Sequence, residues 1–141
     1  MTESTTQAAP QTRGSNAETL GAAYEALAAG DVAAVFAVLA EDITWHVSGR
    51  SPLSADYAGH QEVLAFFQAL GERSNGTFRL DVHEIIGGGG DTVVALVTER
   101  AERHDAALDD ATVHVWRFEN GKATSFRCFA GDEHAQDAFW S

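Results

Sequence analysis

His114 is the residue in this chain whose type and neighbours best suit chemistry. It sits in Thr112-Val113-His114-Val115-Trp116-Arg117-Phe118, where period-two alternation turns Thr112, His114, Trp116 and Phe118 one way and Val113, Val115 and Arg117 the other. One face is aromatic with a single histidine in it, the composition of a ligand-pocket wall more than of a plain core. An imidazole titrates near neutral pH, so His114 can polarise a carbonyl or act as acid or base. A buried histidine satisfied by Tyr24 or by a backbone group stays open beside that reading. His46 points away from Trp45 and Val47 by the same alternation and reaches the pocket side only through a bulge at Ser48-Gly49.

The remaining candidates have simple structural readings. Asp56-Tyr57 falls in what reads as an irregular loop, as a turn-forming aspartate and a packing tyrosine near the pocket mouth. Asp132 reads first as a helix cap and only second as a catalytic carboxylate. Cys128, the single cysteine, excludes an intrachain disulfide, suits a reducing compartment and reads as a buried thiol. The six histidines, at 46, 60, 83, 104, 114 and 134, form no HxH or HxxxH pattern, so no metal site and no cofactor are expected.

The elements that would position these residues follow in order. Residues 1–16 read as a polar, disordered tail and residues 17–141 as one domain. Leu20, Tyr24 and Leu27 mark a first helix from Ala17, stopped by Gly30, and Asp31 caps a second carrying Val32, Val35, Phe36 and Leu39. A strand over Asp42 to Val47, a loop from Arg50 to Ala58 and a helix over Gln61 to Glu72 come next. Strands around Phe78 to Ile86 and Thr92 to Val97 flank Gly87 to Gly90, which lacks the helix a phosphate cradle needs and reads as a flexible hairpin loop. A charged turn region is expected from Glu102 to Asp110, then the hairpin on either side of Asn120-Gly121, then a short helix from Glu133 docking Phe139 and Trp140. Helices first and antiparallel strands after them predict an α+β domain.

Charge and composition restrict partners. With 9 basic against 21 acidic residues in a chain of 141, a net charge of −12 and a pI of about 4.7, nucleic acid and anionic membrane surfaces are poor partners. No apolar run approaches the roughly 18 residues of a membrane span, and no signal-peptide core is visible, so a cytoplasmic location is expected.

Several phrases taken in order resemble the nuclear transport factor 2-like superfamily, in its SnoaL-like and ketosteroid-isomerase-like branch. They are Tyr24 to Leu39 with the Gly30-Asp31 turn, Asp42-Ile43-Thr44-Trp45, Gly59 to Phe67, and Val115-Trp116-Arg117-Phe118 with Asn120-Gly121-Lys122. The resemblance implies a cone-shaped domain, its strongly bent, mainly antiparallel sheet wrapped around three N-terminal helices, with a short C-terminal helix. It also implies a mostly apolar pocket and homodimers formed through the outer face of the sheet. In the isomerases a carboxylate ends the first strand, and Val47 matches that position, so their base is missing. Their oxyanion donors are a tyrosine on the first helix, which Tyr24 matches within one residue, and a protonated aspartate, which His114 matches. The Arg and Asp constellation of the family's epoxide hydrolases is not evident.

The hairpin register decides which side chains share the pocket face. A two-residue turn would pair His114 with Arg127; a three-residue loop with left-handed Gly121 would pair Phe118 with Lys122, His114 with Phe126 and Thr112 with Cys128. The second is expected, in line with the resemblance. The predicted site then has His114 as acid/base or polarising group and Tyr24 as hydrogen-bond donor. Trp45, Val47, Tyr57, Phe67, Thr112, Trp116, Phe126 and Cys128 would contact the ligand. The expected function is binding of a hydrophobic, ring-containing metabolite, with acid/base isomerisation, cyclisation or dehydration as its chemistry. The alternative is a non-enzymatic ligand-binding or dimeric assembly module, or an accessory subunit of a larger enzyme.

Overall fold

A computed structural model describes residues 9–87 and 90–141, with side chains from residue 16 onward. Helix α1 spans Ala9–Ala28, starting earlier than the expected Ala17. Pro10 lies in its first turn, where a missing N–H and a fixed φ are tolerated, and the first eight residues of the expected tail lie outside the described residues. Gly30, at φ 81°, ends the helix. Asp31 N donates to Ala26 O at 2.8 Å and Gly30 N to Leu27 O at 3.0 Å, the paired bonds that close a helix through a left-handed residue. Asp31 then caps α2, Val32–Val38, by accepting from Ala34 N, so the short turn between two helices forms as expected.

Strand β1, Leu39–Val47, turns Ile43 and Trp45 into the core. The expected loop up to Ala58 is shorter than predicted, because Ala55–Ala58 forms an edge strand, β2, antiparallel to β1, with Asp56 opposite His46 and Tyr57 opposite Trp45. Cross-strand pairing overrides a local sequence rich in turn-forming residues. Helix α3, Gly59–Arg73, buries Val63 and Phe66.

The second half of the chain is sheet: β3 (Arg79–Ile86), β4 (Thr92–Arg103), β5 (Ala106–Glu119) and β6 (Lys122–Phe129), then α4 (Glu133–Trp140). The six strands lie in the order β2-β1-β6-β5-β4-β3, with β1 and β6 parallel and the other neighbours antiparallel. The charged segment from Glu102 to Asp110 is not a turn region: β4 runs to Arg103, β5 starts at Ala106, and only His104 and Asp105 turn. Ala101 and Leu108, both buried, keep the strand alternation through it. The loop at 87–90 joins β3 to β4, and its Gly88 and Gly89 lie outside the described residues.

The hairpin register differs from both sequence alternatives. Asn120 (φ 52°) and Gly121 (φ 78°) form a two-residue turn in which Glu119 faces Lys122 and Phe118 faces Ala123. The register then slips by one residue, giving Arg117 opposite Ser125, Trp116 opposite Phe126 and His114 opposite Cys128. The expected three-residue loop is therefore wrong. A bulge at Thr124 has the same effect on side-chain parity, so Thr112, His114, Trp116, Phe126 and Cys128 still face inward.

The result is a mixed α+β domain with four helices among the described residues and a curved, unclosed sheet. Helix α1 packs on α2 and β3, and α3 on β1 and β2. Asp132 caps α4 by accepting from Ala135 N, and Phe139 and Trp140 are buried as expected. Arg73 and Arg103 donate to the carbonyls of Trp140 and Phe139, placing cations at the negative end of that helix.

Candidate functional site

Three adjacent strands bring Glu99, His114 and Cys128 together. His114 and Cys128 are paired residues on β5 and β6. Glu99, on β4, lies opposite Asp110, four residues along β5 from His114. In a flat sheet that offset would separate them by about 13 Å. On the concave face of a curved sheet the long glutamate side chain closes the gap, and Glu99 Oε2 lies 3.5 Å from His114 Nε2.

A chain of hydrogen bonds runs through this cluster. Trp116 Nε1 donates to Tyr24 Oη at 3.0 Å, and Tyr24 Oη lies 2.7 Å from His114 Nδ1. Cys128 Sγ donates to Glu99 Oε2 at 3.4 Å, and Gln136 Nε2 donates to Glu99 Oε1 at 2.9 Å. Gln136 also donates to Asp110 and accepts from Trp140 Nε1, which fixes the orientation of its amide. His114 is 4% and Glu99 7% exposed, so both ionisable groups are held away from bulk water.

Burial opposes ionisation of Glu99, but the hydrogen bond and charge of His114, with bonds from Gln136 and Cys128, outweigh it and hold the carboxyl below its ordinary value. Tyr24 is pushed well up, chiefly by burial and against the Trp116 bond. The Cys128 thiol is also pushed up, by burial first and then by the charge of Glu99. A carboxylate thus stands beside a tyrosine and a thiol that both hold their protons.

The cluster lines a cavity of about 490 Å³, between the helices and the concave face of the sheet. Of the residues predicted from sequence, Tyr24, Trp45, Val47, Phe67, His114, Trp116, Phe126 and Cys128 line it. The aromatic members also pack on one another, Trp45 stacking on Phe126 at 3.9 Å between centroids. Two predicted contacts lie elsewhere. Thr112 sits beside His114 as a buried residue donating to Val97 O, and Tyr57 packs on Phe66 while donating to Leu53 O. His46 faces away from the cavity, as alternation predicted, and pairs with Asp56 at 2.5 Å.

Glu99 and Gln136 were missed in the sequence. Ending the strand at Val97 hid the first, although Val93, Ala95, Val97 and Glu99 share one parity. Gln136 lies one helical turn before Trp140, on the docking face of α4. The expectation that no metal-ligand set exists rested on local spacing, which cannot register three ligand types on neighbouring strands. Glu99, His114 and Cys128 offer ligand atoms all within 4.8 Å of one another.

Helices laid across a curved, unclosed sheet, with an apolar cavity between them, define the nuclear transport factor 2-like architecture. The chain belongs to the SnoaL-like domain family, whose model matches residues 20–126. Its fold is similar to that of Bal32a from a soil-derived mobile gene cassette, at 30% identity and TM-score 0.86, covering 89% of this chain and 96% of that one. A nuclear transport factor 2-like protein of unknown function from Burkholderia pseudomallei aligns at 31% identity and TM-score 0.79, over 89% and 97% of the two chains. An uncharacterised protein of Mycobacterium tuberculosis is 25% identical over 118 residues, 84% of this chain and 90% of its own length.

Proposed function

We propose that the protein binds a hydrophobic, ring-containing metabolite in the cavity and catalyses an acid/base rearrangement of it, an isomerisation, cyclisation or dehydration. The observation that carries this reading is the Tyr24–His114–Glu99 chain buried in an otherwise mainly aromatic and aliphatic wall. Such a wall supplies ligand affinity, and isolated polar groups in it supply orientation and reactivity.

Tyr24 is the group that meets the substrate, since it is half-buried whereas His114 is buried. The Trp116 N–H already donates to the Tyr24 oxygen. When His114 carries a single proton on Nε2, directed at Glu99, the Tyr24 hydroxyl donates to Nδ1. When His114 is doubly protonated, Nδ1–H donates to the Tyr24 oxygen instead and the hydroxyl hydrogen is freed towards the cavity. In that state Tyr24 donates to a substrate carbonyl oxygen, and the imidazolium, balanced by Glu99, replaces the proton if negative charge develops there. Val47 lines the wall where the isomerases keep a carboxylate, so this reading does not include their chemistry on steroids.

A second reading, a ligand-binding module without catalysis, is favoured by one observation: both ring nitrogens of His114 already have partners inside the protein. Conversion of a bound ligand separates the two. Under the enzymatic reading His114→Ala and Tyr24→Phe still bind the ligand and lose turnover by roughly 100-fold or more; ligand returned unchanged by the wild type favours the module.

We further propose a homodimer through the outer sheet face. Leu96 pairs with Val113, Val113 with Phe129, and Val94 with Val115, and Phe129 is 42% exposed. This gives an apolar strip across three strands that a second copy would cover.

A further inference from the structure

We propose that Glu99, His114 and Cys128 form a three-ligand site for a zinc-class divalent cation, with the fourth coordination position open to the cavity. This goes beyond the acid/base reading and concerns an ion-bound form of the same residues: the ion would replace the direct link between His114 and Glu99, so that form has no imidazolium, and the acid/base reading describes the ion-free form.

The ligand atoms are Glu99 Oε2, His114 Nε2 and Cys128 Sγ, all within 4.8 Å of one another. Zinc bonds of about 2.0–2.2 Å to nitrogen and oxygen and about 2.3 Å to sulfur, set tetrahedrally, place oxygen roughly 3.3–3.7 Å from the other two ligand atoms. Glu99 Oε2 stands 3.5 Å from His114 Nε2 and 3.4 Å from Cys128 Sγ. Two edges of the coordination polyhedron therefore already have the right length.

The surroundings of the ligands are built as well. Tyr24 Oη holds His114 Nδ1 at 2.7 Å, and Gln136 Nε2 holds Glu99 Oε1 at 2.9 Å. Outer partners of this kind orient ligands and raise affinity. A thiolate and an imidazole select zinc over magnesium or calcium. One thiolate and one carboxylate also cancel the charge of a divalent ion in a buried site. Three protein ligands beside a cavity leave a position for water or a substrate oxygen, the pattern of catalytic zinc.

The protons balance. Cys128 loses its thiol proton to solvent when the ion binds. His114 presents its Nε2 lone pair, and its remaining proton moves to Nδ1, donating to the Tyr24 oxygen. Binding thus releases at least one proton per ion.

The test is a titration of the chelator-treated full chain with Co2+ alone, read by absorption, followed by competition with Zn2+. The expected result is one ion per chain, a thiolate-to-cobalt charge-transfer band and visible absorption of a four-coordinate ion. Cys128→Ser should abolish the band, and Glu99→Gln should weaken binding by at least about tenfold. Asp56→Ala, outside the cavity, should bind as the wild type does. No thiolate band in folded wild type, or equal affinity in Glu99→Gln, overturns the proposal. No substrate enters this experiment, so its failure leaves the acid/base reading standing, and that reading fails separately if substrate turnover survives His114→Ala.

Discussion

In the proposed chemistry His114 acts through its partners, because Tyr24 and Glu99 occupy its two nitrogens. Glu99→Gln keeps the shape of the cluster and removes the charge that would balance an imidazolium. Turnover should fall by about 10- to 100-fold, with the pH profile displaced, whereas loss of packing alone would lower activity without moving the profile. The same carboxylate makes stability depend on pH. Its folded pKa is depressed from the ordinary 4.5, so its contribution is fully present above that value and is lost as pH falls through the lower folded value. Acid unfolding followed by circular dichroism should show a shallower loss of stability below about pH 4.5 in Glu99→Gln than in wild type. Trp45 gives a different contrast. Its Nε1 is buried with no hydrogen-bond partner among the described residues. Trp45→Ala should cost about 3–5 kcal/mol in denaturant unfolding, and Trp45→Phe much less, since it keeps a ring and removes an unsatisfied donor.

Helix α4 closes the site from the C-terminal end of the chain. Asp110 accepts from Gly131 N, Asp132 N and Gln136 Nε2, tying the start of α4 to β5 while Gln136 holds Glu99. At Gly131 a Cβ would meet the Ala111 carbonyl oxygen, which cannot yield without moving β5, and Asp110 Oδ1, which is held by Asp132 N. Gly131→Ala should therefore destabilise by about 1–3 kcal/mol, read as a lower Tm. The hairpin shows how far local sequence carries. Asn120-Gly121 announced the turn, and alternation announced Thr112, His114 and Trp116 as one face; Phe126 and Cys128 were joined to it through a three-residue loop, and they stay on that face only because the bulge restores the parity. The bulge at Thr124 was invisible, because it answers to pairing across the sheet and to no residue preference of its own. Strand β2 was hidden for the same reason, its four residues being held by β1.

Apart from strand β2, the order of helices and strands from Ala17 onward was legible, since amphipathic spacing and caps are local properties. The meeting of Glu99 with His114 was not, because it depends on how strongly the sheet bends, a property of six strands packed on four helices. The apolar strip on the outer face gives the proposed dimer its own check. Val115→Asp, which places a charge beside Val94 across β4 and β5, should shift the sedimentation behaviour from dimer to monomer while leaving the cavity intact. A wild-type chain that sediments as a monomer at high concentration would remove that proposal without touching the site. No helix among the described residues is long and apolar enough to cross a membrane.

Native mass spectrometry of freshly purified wild type and His114→Ala, followed by incubation of any small molecule they carry, decides whether the cavity turns over its ligand through His114. Acid/base chemistry at His114 requires a hydrophobic, ring-containing molecule bound to both proteins, converted by wild type and returned unchanged by the variant. Equal conversion by both proteins, or a carried molecule that is small, charged and without a ring, would contradict it.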